Sequence, residues 1–413
     1  MNFPKLKLLH TSDWHLGRSL YEHKRYEEFE KFLDWLAEFI QEQRIDVLLV
    51  AGDIFDTTIP GNRAQELYYQ FLTKVSLTCC RHMVITGGNH DSPSFLNAPK
   101  DLLRYFNVHV IGAITDSLED EVVVLYDKYT TPEAIICAVP YLRDKDIRTV
   151  ELGEKMEDKN SKLISGISEH YEAVGKIAVS RRNGIKHLPI IGMGHLFATG
   201  GSITEGDGVR ELYVGGEARV NVNAFPECFD YLALGHLHSA QKVGESDVKR
   251  YCGSPIPMSF GESGQNKKVI LVEFDQGNPE VTEHSIPCFQ ELRRITGNTG
   301  EICLKLEELK SEGSSAWLEI EYTGSESFSA LNDLVYEIIA GTELEALRIK
   351  NKIQSVKGIE RIGDQETLDD LNPQEVFNRC LDANEVAEPG RTMLVHAYEE
   401  IVNGMVGDDI NAE

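Results

Sequence analysis

Five short motifs carry side chains able to bind metal ions, and each follows an apolar stretch predicted to be a strand. In chain order they are Asp13-Trp14-His15, Gly52-Asp53-Ile54-Phe55-Asp56, Gly88-Asn89-His90-Asp91, Gly194-His195 and Gly235-His236-Leu237-His238. Loops at the carboxyl ends of strands converge in an α/β sheet, so these residues are predicted to meet at one site. Each motif alone is also typical of an ordinary turn or loop. Their joint occurrence, in this order, favours a site.

The mixture of Asp, Asn and His side chains suits hydrolysis of a phosphate ester by two metal ions. The reaction needs an activated water and neutralised phosphoryl oxygens, and two cations roughly 3.5–4 Å apart supply both. A mixed oxygen and nitrogen shell suits Mn²⁺, Fe²⁺ or Zn²⁺ more than Ca²⁺. One carboxylate must bridge the pair, and Asp53 is the natural candidate. His236 and His238 can reach different ions because the side chain between them points away.

Alternating apolar strands and amphipathic helices around these motifs predict a layered α/β domain. The segment 151–185 between them is polar with weak helical periodicity, and we expect a helical insertion there. The predicted strands are Leu6–His10, Asp46–Ala51, Met83–Thr86, Val122–Leu125, Ala134–Val139, Leu188–Met193, Tyr231–Leu234 and Val269–Phe274, and the predicted helices are Tyr21–Gln43 and Asn62–Leu77.

The pattern changes after about Ile286, where a small βαβ unit is predicted. Its elements are a strand Ala316–Tyr322, a helix Ser329–Ile339 and a strand Leu344–Ile353. From about Gln365 the chain is acidic and helical, with Val376, Phe377, Cys380 and Leu381 on one face. We therefore expect three parts: a catalytic domain at 1–285, a small α+β capping domain at 286–358 and a helical, acidic C-terminal segment at 359–413.

Composition predicts a globular protein that works in the cytoplasm. The sequence has no apolar run long enough to span a bilayer, and its first residues lack the apolar core of a signal peptide. The scattered cysteines are typical of reduced thiols rather than of a disulfide framework. A net charge of −26 opposes nucleic acid binding over most of the surface. However, bound cations reverse the local field at a metal site, and many of the acids lie after Glu360.

The five motifs together resemble the signature of calcineurin-like metallophosphoesterases. Within that superfamily the chain is similar to bacterial SbcD-type nuclease subunits, relatives of the meiotic-recombination nuclease of archaea and eukaryotes. Further matching stretches are His10 to Gly17, Gly52 to Thr57, Val139 to Arg143, Tyr251 to Phe260 and Leu371 to Phe377. The likeness covers nearly the whole chain. It implies a metallophosphoesterase β-sandwich flanked by helices, followed by the capping domain and the helical tail.

The resemblance also assigns roles to residues at matching positions. It implies one metal ion held by Asp13, His15, Asp53 and His238 and a second held by Asp53, Asn89, His195 and His236. His90 would be catalytic, stabilising the transition state or protonating the leaving oxygen. The Asp56 carboxylate would orient His90, while Asp91 is a candidate for supporting the loop backbone. Arg18 and Arg143 are weaker candidates for contacts with DNA phosphates, and a solvated surface role suits them about equally.

The implied function is that of a Mn²⁺-dependent nuclease subunit, cutting duplex DNA as an ATP-dependent 3′–5′ exonuclease and single strands or hairpins as an endonuclease. Such subunits act in DNA replication, recombination and repair, as homodimers within a heterotetramer with an SbcC-like coiled-coil ATPase. ATP would belong to that partner, because this chain has no phosphate-binding G-x-x-x-x-G-K-[ST] loop. Two alternatives stay open at this point: a phosphoesterase acting on nucleotides or other small molecules, and a DNA-end scaffold.

Overall fold

The computed structural model describes residues 5–147, 156–198, 220–324 and 328–351, together with Phe377, Leu381, Arg391, Leu394, Val395 and Tyr398. The chain divides into two units, Met1–Leu292 and Arg293–Glu413. Among the described residues, no helix is both long and apolar enough to cross a membrane. The cysteines that the structure describes are all free thiols.

The described residues of the first unit form fourteen strands and six α-helices. The strands are β1 Leu6–Thr11, β2 Ser19–Leu20, β3 His23–Lys24, β4 Val47–Ala51, β5 His82–Thr86, β6 Val108–Ile111, β7 Val122–Tyr126, β8 Pro132–Ala138, β9 Ile190–His195, β10 Tyr231–Gly235, β11 Gln241–Val243, β12 Ser246–Tyr251, β13 Lys268–Asp275 and β14 Asn278–Ser285. The helices are α1 Tyr26–Gln43, α2 Asn62–Ser76, α3 Pro93–Asn97, α4 Lys100–Arg104, α5 Asp144–Ile147 and α6 Met156–Arg182. Each predicted strand of this unit is confirmed to within a few residues.

Two six-stranded sheets pack face to face and form the expected sandwich. Their strand orders are β14-β13-β1-β4-β5-β6 and β11-β12-β10-β9-β8-β7. One buried layer joins them, with Leu8 and Leu49 of the first sheet beside Met193 and Ala233 of the second. Neighbours β1, β4 and β5 run parallel, as do β9 and β10. The carboxyl ends of these five strands therefore lie at the same edge of the sandwich.

Helices cover both outer faces of the sandwich. Helices α1 and α2 bury an apolar stripe that includes Phe29, Phe32 and Leu67 against the first sheet. Helix α1 begins at Tyr26 rather than at Tyr21, because the short β2–β3 hairpin precedes it. Residues Tyr21 and Glu22 turn that hairpin with positive φ angles, which a helix excludes.

The helix expected in the segment 151–185 is confirmed as α6, but it is part of the sandwich rather than an addition to it. Helix α6 is the outer layer of the second sheet, where Leu163, Ile167, Tyr171, Val174 and Ala178 are fully or almost fully buried. Its apolar stripe is weak in the sequence because small residues interrupt it at sites of close packing. A Cβ at Gly166 would overlap the backbone of residue 147, and one at Gly175 would touch residue 226.

Residues 292–351, as far as the structure describes them, form a three-stranded sheet and two helices. They are β15 Leu292–Gly297, α7 Thr299–Ser311, β16 Trp317–Tyr322, α8 Phe328–Ile339 and β17 Glu345–Asn351, with strand order β15-β16-β17. The predicted βαβ unit corresponds to the last three elements and misses β15 and α7. Helix α7 buries only Ile302 and Leu306 completely, so its apolar pattern is faint. Asn298 and Glu301 do form a capping box at its start.

The predicted acidic tail lies mostly outside the described residues. Of its proposed apolar face, Phe377 and Leu381 are described and both are helical. The ring of Phe377 stacks on that of Tyr398, with 4.1 Å between ring centroids and an angle of 6° between the planes.

Candidate metal centre

The five motifs meet at the edge of the sandwich where β1, β4, β5, β9 and β10 end. Asp13 and His15 follow β1, Asp53 follows β4, and Asn89 follows β5. His195 ends β9, and the pair His236 and His238 follows β10. All the predicted ligands are buried except Asn89, which is half-buried. The structure therefore brings together the seven side chains that the sequence singled out.

Backbone strain marks the loops that hold these side chains. Asp13, His15 and Asp53 have φ angles of 52°, 49° and 51°, and His236 has 106°. Such angles cost a residue with a side chain about 1–3 kcal/mol. Hydrogen bonds between loops stabilise them: Asp13 N donates to the oxygen of Gly52, and His15 N to that of Asp53, both at 3.0 Å. The loop after β1 is thus fixed to the loop after β4.

Glycines before the ligands leave room for this close approach. A Cβ at Gly88 would collide with Asp53, and one at Gly52 would collide with the His195 ring. Gly235 lies against the carbonyl oxygen of Ala51, the last residue of β4. The glycines therefore allow the two sheets and their loops to converge on one point.

The Asp53 carboxylate lies between the two proposed halves of the site. Its Oδ2 is 3.5 Å from His15 Nε2 and 3.3 Å from His195 Nε2. Ligand atoms of Asp13, His15 and His238 lie within 4.8 Å of one another, and so do those of Asp13, Asp53 and His195. The Asp53 carboxylate is thus close to histidines of both proposed halves of the site.

The outer members of the second half surround His195. The side-chain oxygen of Asn89 is 2.9 Å from His195 Nε2, and the His236 ring packs edge-on against the His195 ring at 5.5 Å between centroids. His195 Nδ1 lies 3.0 Å from the carbonyl oxygen of Ala51. If that nitrogen carries the ring proton, Nε2 is free to bind an ion.

The donor set fits divalent cations. His15 is buried, and neither of its ring nitrogens has a hydrogen-bond partner among the described residues. Burial lowers the pKa of His15 to about 4 and holds that of His236 well below its ordinary value. Both rings are therefore neutral at pH 7, the form that binds metals. Burial alone would raise the pKa of Asp53, but the His195 and His15 rings outweigh it and hold the pKa well below its ordinary value.

His90 lies beside this cluster, and Asp56 fixes it in a way that the sequence did not predict. The Nδ1 atom of His90 is 2.7 Å from the main-chain oxygen of Asp56, not from its carboxylate. The carboxylate lies instead 3.3 Å from Nδ1 of His15 and accepts a hydrogen bond of 3.1 Å from Arg18. The positions of Asp56 and His90 in the sequence do not show whether the main-chain or a side-chain oxygen of Asp56 will face the His90 ring. The orienting contact remains, but it is made by the backbone.

Asp91 supports the loop backbone, as predicted. Its carboxylate accepts hydrogen bonds from the N–H groups of Ile54 at 3.1 Å, Phe55 at 2.9 Å and Gly88 at 2.8 Å. Asp53 adds a further bond, accepting from the N–H of His90 at 2.9 Å. The loops after β4 and β5 are therefore held as one piece, which sets the separation of Asp53 from Asn89.

The two arginines proposed for DNA contacts differ in their surroundings. Arg18 is paired with Asp56, and only 19% of its side chain is exposed. Arg143 follows β8, is half-buried, and has no side-chain ion pair among the described residues. Arg18 therefore serves the site by holding Asp56, whereas Arg143 has a charge that is not neutralised by a described acid.

A buried carboxylate that the sequence did not single out lies behind His238. Glu262 has no exposed surface, and its Oε1 is 3.5 Å from Nδ1 of His238. Burial would raise the pKa of Glu262, but the contacts with His238 and Lys267 lower it to about 2. A lone Glu in a polar stretch carries no spacing signal, so only the folded chain reveals this contact.

Comparison with known families places two models on the chain. The model described as Calcineurin-like phosphoesterase matches residues 6–240, and the model described as Type 5 capsule protein repressor C-terminal domain matches residues 288–385. The first match spans the strands that carry all seven predicted ligands. The second lies over the small sheet and the start of the acidic tail.

Similar proteins match most of the chain. The SbcD subunit of the SbcCD nuclease of Escherichia coli strain K12 is 35% identical over 406 residues, covering 98% of this chain and 99% of that protein. The protein of the same name in Bacillus subtilis strain 168 is 29% identical over 343 residues, covering 78% and 81%. A crystal structure of a dimetal phosphatase from Danio rerio aligns at 10% identity and a TM-score of 0.34, covering 68% of this chain and 99% of that one.

Proposed function

The chain belongs to the calcineurin-like phosphoesterase family and to its SbcD-type members, and on that premise we propose that it is the DNA-cutting subunit of an SbcCD-type nuclease complex. Family membership makes it a metal-dependent phosphoester hydrolase. The observation that carries the proposal is the Asp53 carboxylate, 3.5 Å from His15 Nε2 and 3.3 Å from His195 Nε2, within a set of donors that are all buried except the half-buried Asn89. DNA as the substrate rests on the likeness to nucleases over the whole chain.

In the proposed site, Asp13, His15, Asp53 and His238 would hold one ion, and Asp53, Asn89, His195 and His236 would hold the other. When bound, two such cations, Mn²⁺ in our proposal, would supply neutralisation of charge on the phosphoryl oxygens and a lower pKa for the attacking water. Glycines and tight loop contacts keep the donors fixed before substrate arrives, so little reorganisation is needed during the reaction.

His90 is the proposed catalytic side chain beyond the ions. Because the main-chain oxygen of Asp56 faces Nδ1, Nε2 is the nitrogen available to the phosphate. It would stabilise charge on the phosphoryl group or give a proton to the leaving oxygen. Asp56 contributes by position: its carbonyl orients His90, and its carboxylate lies against His15. We place Arg143 near the path of the DNA backbone as a phosphate contact.

Partners follow from the same family relationship. We propose that the C-terminal segment 359–413 docks on an SbcC-like coiled-coil ATPase, which would bind and hydrolyse the ATP.

We also propose a homodimer within a heterotetramer. The exposed apolar side chains of Leu102, Tyr105 and Phe106, which are 64%, 87% and 55% exposed, support a second copy covering this face. The activities proposed are ATP-dependent 3′–5′ cutting of duplex DNA and cutting of hairpins and single strands, in replication, recombination and repair in the cytoplasm.

One assay tests the proposed substrate. Wild type, Asp53→Asn and His90→Ala are incubated with Mn²⁺ and either hairpin DNA or a chromogenic phosphodiester, with and without the partner ATPase. Asp127→Asn, in an exposed turn, serves as the matched control. We expect wild type and control to cut the hairpin, and we expect both site variants to lose at least a hundredfold in rate. Hydrolysis of mononucleotides with intact DNA under every condition would instead support a small-molecule phosphoesterase.

Truncation tests the docking proposal separately. Removal of the residues after Asp364 should abolish binding to the ATPase in a pull-down assay, while hydrolysis of the chromogenic phosphodiester by the isolated subunit should persist. Unchanged binding would show that the partner docks elsewhere. A truncated chain that still binds the ATPase but no longer cuts DNA would show that the removed residues act in DNA cleavage rather than in docking.

A further inference from the structure

We propose that Glu262 is a positioning residue for His238, holding the ring so that Nε2 is presented to a metal ion. The proposal rests on the metal site described under the proposed function and adds a residue to it. A histidine that binds a metal usually gives its other ring N–H to a carboxylate or carbonyl, which fixes the tautomer and makes the ligand nitrogen more basic. Glu262 lies where this carboxylate is needed.

The contact is built into the interior rather than formed at the surface. The side chains of His238 and Glu262 are 2% and 0% exposed, and Oε1 of Glu262 is 3.5 Å from Nδ1 of His238. That oxygen has no hydrogen bond to any other described residue. A buried carboxylate oxygen is expensive to leave without a donor, so the ring N–H of His238 is the partner that the geometry provides.

Lys267 and Ser254 hold the other half of the carboxylate. Nζ of Lys267 donates to Oε2 of Glu262 in a buried ion pair, and Oγ of Ser254 donates to the same oxygen at 3.3 Å. Oε2 of Glu262 is therefore held by Lys267 and Ser254, and Oε1 faces the ring of His238. Because Lys267 balances its charge, Glu262 can remain buried as an anion.

The same residues also fix the backbone of His238. The carbonyl oxygen of His238 accepts a hydrogen bond from Nζ of Lys267 at 3.0 Å and one from the N–H of Ser254 at 3.1 Å. Glu262 itself ends a single 3₁₀ turn, Phe260–Glu262, that Ser259 caps. Ring and main chain of His238 are thus held by residues from one stretch, 254–267, which packs behind the site.

His238 differs from His195 in the group that its Nδ1 atom faces, and it resembles His15, whose Nδ1 is 3.3 Å from the Asp56 carboxylate. Nδ1 of His195 faces a neutral carbonyl oxygen, that of Ala51, whereas Nδ1 of His238 faces an anion. The ion on the His238 side should consequently depend on Glu262, while the ion on the His195 side should not.

Metal titration of the full chain tests this asymmetry. Calorimetry with Mn²⁺ on Glu262→Gln should show one of two sites weakened 10- to 100-fold and the other unchanged. Electronic absorption of the Co²⁺-loaded variant should show a shifted ligand-field band, which a loss of stability alone would not produce. Glu121→Gln is the matched control, since Glu121 is equally buried and bonded to His170 at 2.7 Å, away from the metal ligands. It should bind both ions as wild type does.

Two unchanged affinities and an unchanged Co²⁺ spectrum in Glu262→Gln would overturn the proposal, as would an equal loss in Glu121→Gln. If Glu262→Gln does not fold, Glu262→Asp decides in the same way, because it keeps the charge but withdraws it from the ring. Wild type that binds no Mn²⁺ would refute the metal site itself, an outcome distinct from failure of the role assigned to Glu262.

Discussion

Asp91→Asn should destabilise the fold and loosen the metal site, because Asp91 joins two of the loops that carry ligands. Oδ2 of Asp91 accepts from Ile54 N and Gly88 N, and Oδ1 accepts from Phe55 N. An amide in the better orientation keeps the first two bonds and turns its NH₂ group toward the third N–H. One buried donor is then left without an acceptor, which costs about 1–3 kcal/mol.

Urea unfolding in the presence of EDTA measures this cost without the stabilising effect of bound metal. We expect the free energy of unfolding to fall by about 1–3 kcal/mol, and we expect Mn²⁺-dependent hydrolysis to fall as well, because the spacing of Asp53 and Asn89 is no longer fixed. Asp127→Asn is the control, since Asp127 also accepts from two main-chain N–H groups, both at 2.8 Å, in an exposed turn. Water can replace those bonds, so the change should stay within about 0.5 kcal/mol. A wild-type free energy and wild-type hydrolysis for Asp91→Asn would refute this reasoning.

Three further perturbations have defined outcomes. Gly235→Ala places a Cβ against the main chain of β4 and the ring of His195, so calorimetry should show that Mn²⁺ binding is lost. Gly300→Ala is the control and should bind Mn²⁺ as wild type does, because the nearest atom to its Cβ is 3.5 Å away. Burial lowers the pKa of His10 from 6.5 to about 3. Between these two pH values, His10 therefore binds a proton in the unfolded chain but not in the folded chain. The free energy of unfolding should therefore fall as pH drops below 6.5, by at most about 1.4 kcal/mol per pH unit. Urea titrations should show a weaker dependence of this free energy on pH for His10→Phe than for wild type. An equal dependence would contradict the lowered pKa of His10. Glu28→Gln leaves the buried guanidinium of Arg25 without its carboxylate, so unfolding should become easier by about 3–5 kcal/mol, and a change below 1 kcal/mol would show that the pair contributes little.

The sequence singled out the candidate ligands because each follows a continuous apolar strand. Strands buried on both faces read as apolar runs, so the end of each run located a loop, and the polar residue after it was conspicuous. The positive φ angles at Asp13, His15 and Asp53 were not predictable from their residue types. They arise from bonds between loops that are distant in sequence.

Other features lacked a local signal. Glu262 lies 24 positions after His238 in the chain, and nothing near it in sequence marks it as buried. Helix α6 was expected as a helix, but its packing on the second sheet was not, because glycines and the buried His170 dilute its apolar stripe. Helix α7 was missed because its two fully buried apolar residues, Ile302 and Leu306, are too few to produce a recognisable helical periodicity in the sequence. In each case the packing partner, rather than the segment itself, determines the structure.

Anomalous diffraction at the manganese absorption edge, on crystals grown with Mn²⁺, tests the central claim most directly. The account predicts two anomalous peaks about 3.5–4 Å apart, one on each side of the Asp53 carboxylate, with Asp13, His15 and His238 around one peak and Asn89, His195 and His236 around the other. The Asp53→Asn variant should lose at least one peak. A single peak in wild type, or peaks away from these side chains, would contradict the two-metal centre.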